Sequence, residues 1–364
     1  MKTIQLILIV VLLGGLVIQA GVADDLPDGY WSLQQASEIL DKTRAITLDP
    51  DTSSLTAAER AATEKLIQAG VIFNRLYEDS IHPQALESLK ALKRLESRGG
   101  KQATALMKIY YQSKGPITTD LNNKRVAFLP VNAEEPGKNV YPPGMTTEKL
   151  DTFLSQNPAL ASDFLNLRTV VRESSKENLS RDLQMLDQYP LLDGLHPGLR
   201  DLLEGLQASR HNEPWYALPY SVRWAPSIIK AYALINGAAN DVKVEDPDLA
   251  DYLFLRARDL LTDNYEAGDA AWVRGKFRHL NAQIGSYEVY ADSLYGVKSF
   301  WSMNVLVRDI EKSNELSAAL GGLQAIQDSL PVVAERTIQS DIPVGVYNII
   351  ADFGQSRGGN TATI

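Results

Sequence analysis

The sequence predicts an α+β protein, predominantly helical and two-lobed around a cleft, with a small β-sheet or partial barrel in its C-terminal half. Three observations predict this class. Apolar residues recur at helical spacing through much of the first half. Late in the chain Gln283 to Asp309 mixes aromatic and β-branched residues with glycines, a composition that favours strands. The length, 364 residues, corresponds to about two domains, or two lobes around one cleft.

Each element has its own signal. Thr56-Ala-Ala-Glu59 has capping-box spacing, and Leu66, Ile67, Ala69, Phe73 and Leu76 continue as an apolar face behind it. His82-Pro83 restarts the chain, with proline placed at the first helical position, where it has no N–H to lose. The stripe Leu86, Leu89, Leu92 and Leu95 then runs to Gly99-Gly100, and Lys101 to Gln112 is helical again. Val126 to Pro130 is a short extended segment, and the prolines and glycines between Glu134 and Gly144 make a loop. Helices are expected at Thr146–Leu154 and Leu160–Arg172, and another is capped by Asp246 before Pro247. A last stripe, Leu316 to Ile326, ends at Leu330-Pro331, and Val344 to Ile350 is a strand.

The net charge of −9 and pI near 5.1 supply no basic field for nucleic acid or anionic lipid. With no cysteine there is no disulfide, thiolate ligand or cysteine nucleophile. Lys2, an apolar run from Leu6 to Ile18 and the small-residue exit Gly21-Val-Ala23 read as a secretory signal, placing the protein in the periplasm or outside the cell. Whether that segment is cleaved or retained as an anchor is left open by its length, since a span needs about 20 residues. The expected division is 1–23 signal, 24–210 helical region and 211–364 α+β region, incomplete at its C-terminus.

The chemistry is sparse. The four histidines are His82, His196, His211 and His279, and no two are a helical turn apart as a helix-borne metal site requires. No Gly-x-Ser-x-Gly elbow is present. Gly354-Gln-Ser-Arg-Gly-Gly-Asn-Thr361 has phosphate-loop spacing, but Asn360 stands where the lysine belongs. The informative stretch is Ile284-Gly-Ser-Tyr-Glu-Val-Tyr-Ala-Asp292. On a strand, Glu288 and Tyr290 would share one face, with Tyr287 and Val289 on the other. A carboxylate beside a phenol could hold a substrate ammonium and donate to a developing oxyanion. On the residues alone, a solvated glutamate next to a half-buried tyrosine is the favoured reading of the same pair.

That stretch, continued through Ser293-Leu-Tyr-Gly-Val-Lys298, resembles the Glu-Thr-Tyr segment of the dipeptidyl-peptidase III family of zinc peptidases. Leu260 to Trp272 precedes it and a helix ending Asp328-Ser-Leu-Pro331 follows it, as in that family. Upstream, Asn139-Val-Tyr-Pro-Pro-Gly-Met-Thr-Thr-Glu148 and Pro214-Trp-Tyr-Ala-Leu-Pro-Tyr-Ser221 are similar to family segments, so the resemblance covers roughly residues 130–364. It implies a two-lobed peptidase that removes dipeptides from peptide N-termini, with Glu288 holding the substrate's free amine and Tyr290 polarising the scissile carbonyl. It also implies a zinc ion, held by a His-Glu-x-x-(x)-Gly-His helix and a later glutamate, in a segment that would follow Gly354 to Ile364. The chain is therefore expected to be a fragment or the product of a truncated gene, with no zinc of its own and no activity alone. A noncatalytic peptide-binding protein on the same scaffold is the alternative.

Overall fold

The computed structural model describes residues 26–208, 213–331, 337 and 345–355. The signal segment, His211 and most of the Gly354–Thr361 run lie outside the described residues. The chain opens with α1 (Leu33–Leu40), α2 (Ala57–Ile81), α3 (Ala85–Glu96) and α4 (Lys101–Ser113), followed by the strand pair β1 (Ile117–Thr119) and β2 (Arg125–Ala127). After a long loop come α5 (Thr147–Gln156), α6 (Ala161–Phe164) and β3 (Thr169–Glu173). Next are α7 (Lys176–Gln188), α8 (Pro190–Leu195), α9 (Leu199–Gln207), β4 (Trp215–Pro219), α10 (Tyr220–Arg223) and α11 (Ala225–Val242). The remainder is α12 (Pro247–Thr262), α13 (Glu266–Arg274), β5 (Leu280–Ser286), β6 (Trp301–Asp309), α14 (Ile310–Leu320), α15 (Leu323–Ser329) and β7 (Val346–Gly354).

The architecture is α+β with three small antiparallel sheets, β1–β2, β3–β4 and β5–β6–β7, none of them closed into a barrel. Helix α2 forms where the capping box predicts: Thr56 Oγ1 accepts from Glu59 N and Glu59 Oε2 accepts from Thr56 N. Its buried face packs against α11 and the β6–β7 ribbon. Gly70 allows that approach, because a Cβ there would overlap the Phe353 ring. Trp301, fully enclosed at the start of β6, is the hub, with Phe73, Tyr220 and Trp224 rings 5.6, 5.6 and 5.9 Å away. This larger core is accompanied by a second cluster, built from α1, α3, α4 and Phe128. Asp246 caps α12 as its sequence predicts, accepting from Leu249 N at 3.0 Å.

Three local expectations are corrected. Leu160–Arg172 is not one helix: after the short α6 the chain turns into β3, whose Val170 and Val171 face Leu218 and Ala217 of β4. The β-branched run Thr169-Val-Val gains ladder hydrogen bonds and burial there that a solitary helical turn would not supply. Helix α3 begins at Ala85, two residues past Pro83, and the stripe Leu316–Ile326 is split at Gly321-Gly322 into α14 and α15. Among the described residues, no helix is long and apolar enough to cross a membrane.

Candidate functional site

A cleft of about 1120 Å³ is lined by residues drawn from 77–138 and from 252–355. One wall carries Tyr77 and Ile81 of α2, Arg125 of β2, and Glu134 and Lys138 of the following loop. The facing wall carries Arg256, Asp269, Trp272, Tyr287, Glu288 and Tyr290. On the first wall Arg125 grips Glu134 with two hydrogen bonds of 3.1 and 2.9 Å, and Lys138 Nζ adds a third contact at 3.0 Å. Burial pushes the Glu134 carboxyl up, but these cations outweigh it and hold the group below its ordinary range.

Opposite, Tyr287 donates its phenol to Asp269 Oδ1, which also receives Arg256 Nη2. Arg256 is enclosed, and its guanidinium lies 4.7 Å from the centre of the Tyr265 ring. Burial disfavours the Arg256 charge, but the phenols of Tyr252, Tyr287 and Tyr265 and the Asp269 carboxylate outweigh it. Arg168 covers the Tyr265 ring at 3.5 Å and donates to Ser286 O at 3.1 Å, fixing the end of β5. Gly285 is required there: a Cβ would collide with the rings of Tyr287 and Tyr265. The start of β5 is fixed by Glu59 of α2, which accepts from the amides of His279 and Leu280 at 3.2 and 3.3 Å.

The two residues singled out from the sequence both reach the cleft, but not from a strand. The β5–β6 ladder ends at the pair Ser286↔Trp301, so Glu288 and Tyr290 belong to the loop 287–300. Period-two alternation therefore fails. Tyr287 stands in the same cleft as Glu288 and Tyr290 and not on an opposite face, while Val289 is half-buried. Glu288 is exposed and Tyr290 is 83% exposed, and among the described residues neither side chain has a hydrogen bond or ion pair. The cleft residues Asp269 and Trp272 lie in the segment Leu260–Trp272 that carried the family resemblance. Arg256 had no sequence signal, since its role depends on burial.

Each described histidine has a local engagement. His82 Nε2 is 3.1 Å from Asn132 O, His196 Nε2 is 2.7 Å from Ser221 Oγ, and His279 Nδ1 is 3.2 Å from Glu59 Oε2. Ser221 is fully buried, so the His196–Ser221 pair has no access to a substrate. Among the described residues, no group of three or more His, Cys, Asp or Glu side chains could hold a metal ion, and they do not fit a zinc site.

The fold is dipeptidyl-peptidase III-like. It is similar to the structure of dipeptidyl-peptidase III from Caldithrix abyssi, with TM-score 0.66 and 22% identity over 86% of this chain and 52% of that one. It is similar also to dipeptidyl-peptidase III from Corallococcus sp. strain EGB, with TM-score 0.68 and 19% identity over 91% of this chain and 54% of that one. In sequence it is 27% identical over 243 residues to Nudix hydrolase 3 of Arabidopsis thaliana, covering 65% of this chain and 28% of that protein. The chain thus spans about half the length of the solved structures it matches and under a third of the plant protein. No family profile matches the sequence.

Proposed function

We propose that this chain is the peptide-receiving portion of an exported zinc-dependent peptidase of the dipeptidyl-peptidase III kind. Glu288 would hold the α-ammonium of a peptide, and Tyr290 would donate a hydrogen bond to the scissile carbonyl as it gains charge. The reading is carried by one observation: on this fold, Glu288 and Tyr290 stand exposed in the same open cleft, with no side-chain hydrogen bond or ion pair among the described residues. A carboxylate kept in water costs nothing to hold ionised, and an incoming ammonium can replace that water. The neighbouring rings of Trp272 and Tyr287 offer apolar surface for the first side chains of the peptide. Zinc, and with it hydrolysis, would be supplied by a longer form of the protein, because the described residues offer no ligand set for it.

Titration calorimetry of the 364-residue chain with tetra-alanine and with N-acetyl-tetra-alanine tests the ammonium site. The free-amine peptide should bind more tightly, and Glu288→Gln should abolish the difference. Equal binding of the two peptides to the unaltered chain would remove Glu288 from this role. Peptide binding without turnover in every form of the protein would favour the noncatalytic reading, which uses the same cleft.

A further inference from the structure

Among the described residues the side chains of Glu288 and Tyr290 have no hydrogen bond or ion pair, so the backbone of the loop 287–300 sets where they stand. That backbone is wound around one buried carboxylate. Asp292 Oδ1 accepts from the amides of Leu294 and Tyr295 at 3.1 and 3.0 Å. Its Oδ2 accepts from the amides of Val297 and Lys298, each at 2.9 Å, and from the phenol of Tyr141 at 3.1 Å. Convergent backbone N–H groups make a nest for an anion, and here the anion is part of the same loop. Gly296 lies between the two pairs of amides with φ +71°, a left-handed conformation that turns the chain back on the carboxylate.

The same residue fixes the other end of the loop. Asp292 N donates to Val289 O at 2.9 Å, closing a turn that contains Tyr290, while Phe300 N donates to Glu288 O at 3.0 Å. Lys298, fully enclosed, then ties the loop to the body of the protein. Its Nζ donates to Phe164 O, Asn166 O and Thr169 Oγ1 at 2.6, 2.8 and 2.8 Å. Thr169 Oγ1 already donates to Asp163 O at 2.6 Å, so it must accept from the lysine. Three acceptors need three protons, which only the ammonium form carries.

We propose that Asp292 is the positioning residue of the ammonium site, the internal anion that holds Glu288 and Tyr290 at the cleft wall before any peptide arrives. This rests on the reading of Glu288 as the ammonium holder. It assigns Asp292 no contact with substrate.

Asp292→Asn tests it, because one oxygen becomes an amino group that confronts amide donors it cannot accept from. The ratio of tetra-alanine to N-acetyl-tetra-alanine affinity should fall about tenfold or more. Hydrogen exchange should quicken at the amides of Leu294, Tyr295, Val297 and Lys298, with α2 and α11 unchanged. Tyr141→Phe removes one donor and leaves the four amides. It should lower thermal stability but keep the affinity ratio within about twofold, since the nest that shapes the loop survives. If Asp292→Asn does not fold, Gly296→Ala strains the same turn with open space around its methyl group, and a reduced ratio is expected there too. A folded Asp292→Asn or Gly296→Ala variant that keeps the unaltered ratio and exchange pattern would overturn the inference. A chain with no amine preference but with the predicted exchange change would instead overturn the Glu288 reading and leave Asp292 as the loop's organiser.

Discussion

Tyr287 and Asp269 are joined phenol to carboxylate at the cleft wall, and the bond fixes α13 against the end of β5. Tyr287 also meets the Tyr265 ring nearly edge-on, with centroids 5.6 Å apart at 68°. Burial, with the bond to Asp269 acting the same way, pushes the Tyr287 phenol well above its ordinary range. The group is therefore a fixed donor at any physiological pH.

Removing only that donor should cost little. Tyr287→Phe should lower unfolding free energy by about 1 kcal/mol in urea titrations, since Arg256 still serves Asp269. Tyr287→Ala should cost about 2 kcal/mol, because the contact with the Tyr265 ring goes as well, the side chain being 39% exposed. Equal losses for the two variants would show that the ring contributes nothing beyond its hydroxyl.

Tyr290 is 83% exposed, so its substitution should leave stability within about 0.5 kcal/mol. In a longer form that hydrolyses peptides, Tyr290→Phe should lower kcat by about 10²–10³-fold with KM nearly unchanged. A fall in KM-side affinity with unchanged kcat would place Tyr290 in ground-state binding.

Asp263 gives a pH signature. Burial pushes its carboxyl up to about 7, partly opposed by the Ser221 amide, which donates to Oδ2 at 3.0 Å, while the buried Oδ1 has no hydrogen-bond partner among the described residues. A carboxyl raised in the folded state contributes stability that is complete below its unfolded pKa and is lost as pH rises through about 7. Asp263→Asn removes that titration, and asparagine tolerates the φ of +55° at this position. Relative to the unaltered chain, the variant should gain stability between about pH 4 and pH 7 and keep the gain above it. The gain should reach about 4 kcal/mol, since a rise from 3.8 to about 7 is about 3 pKa units and each corresponds to about 1.4 kcal/mol. Melting curves whose difference does not change with pH would contradict the assignment.

Export is tested separately. Mass spectrometry of protein recovered from an exporting host should give Asp24 as the mature N-terminus, after the Gly21-Val-Ala23 exit. Recovery of chains that retain residues 1–23 in the membrane fraction would support a retained anchor.

Local signals in the sequence identify elements whose determinants lie within a few residues. The Thr56–Glu59 box, the Asp246 cap and the strand β6, with Trp301, Val305 and Val307, are such cases. β3 was hidden because its partner β4 is remote in sequence, and only that pairing distinguishes Thr169-Val-Val from a helix. The Glu288–Tyr290 pair lines the cleft, but from a loop and not from the strand that its alternation predicts. Past Ser286 the chain enters a loop whose Leu294, Tyr295, Val297 and Lys298 amides are taken by the Asp292 carboxylate, a pattern that period-two spacing does not announce. Arg256 and Asp269 come together only because α12 packs on both β5 and α13, contacts that no local signal announces.

A loop wound on its own carboxylate has little freedom left to lose. Calorimetry of peptide binding across temperature should therefore report a small negative heat-capacity change, set by the apolar surface of Trp272 and Tyr287 that the peptide covers and not by folding of residues 287–300. Association should accordingly proceed in one kinetic phase, with no slow ordering step after encounter. The entropy of arranging the receptor is settled when the chain folds, and the ligand is left with only its own.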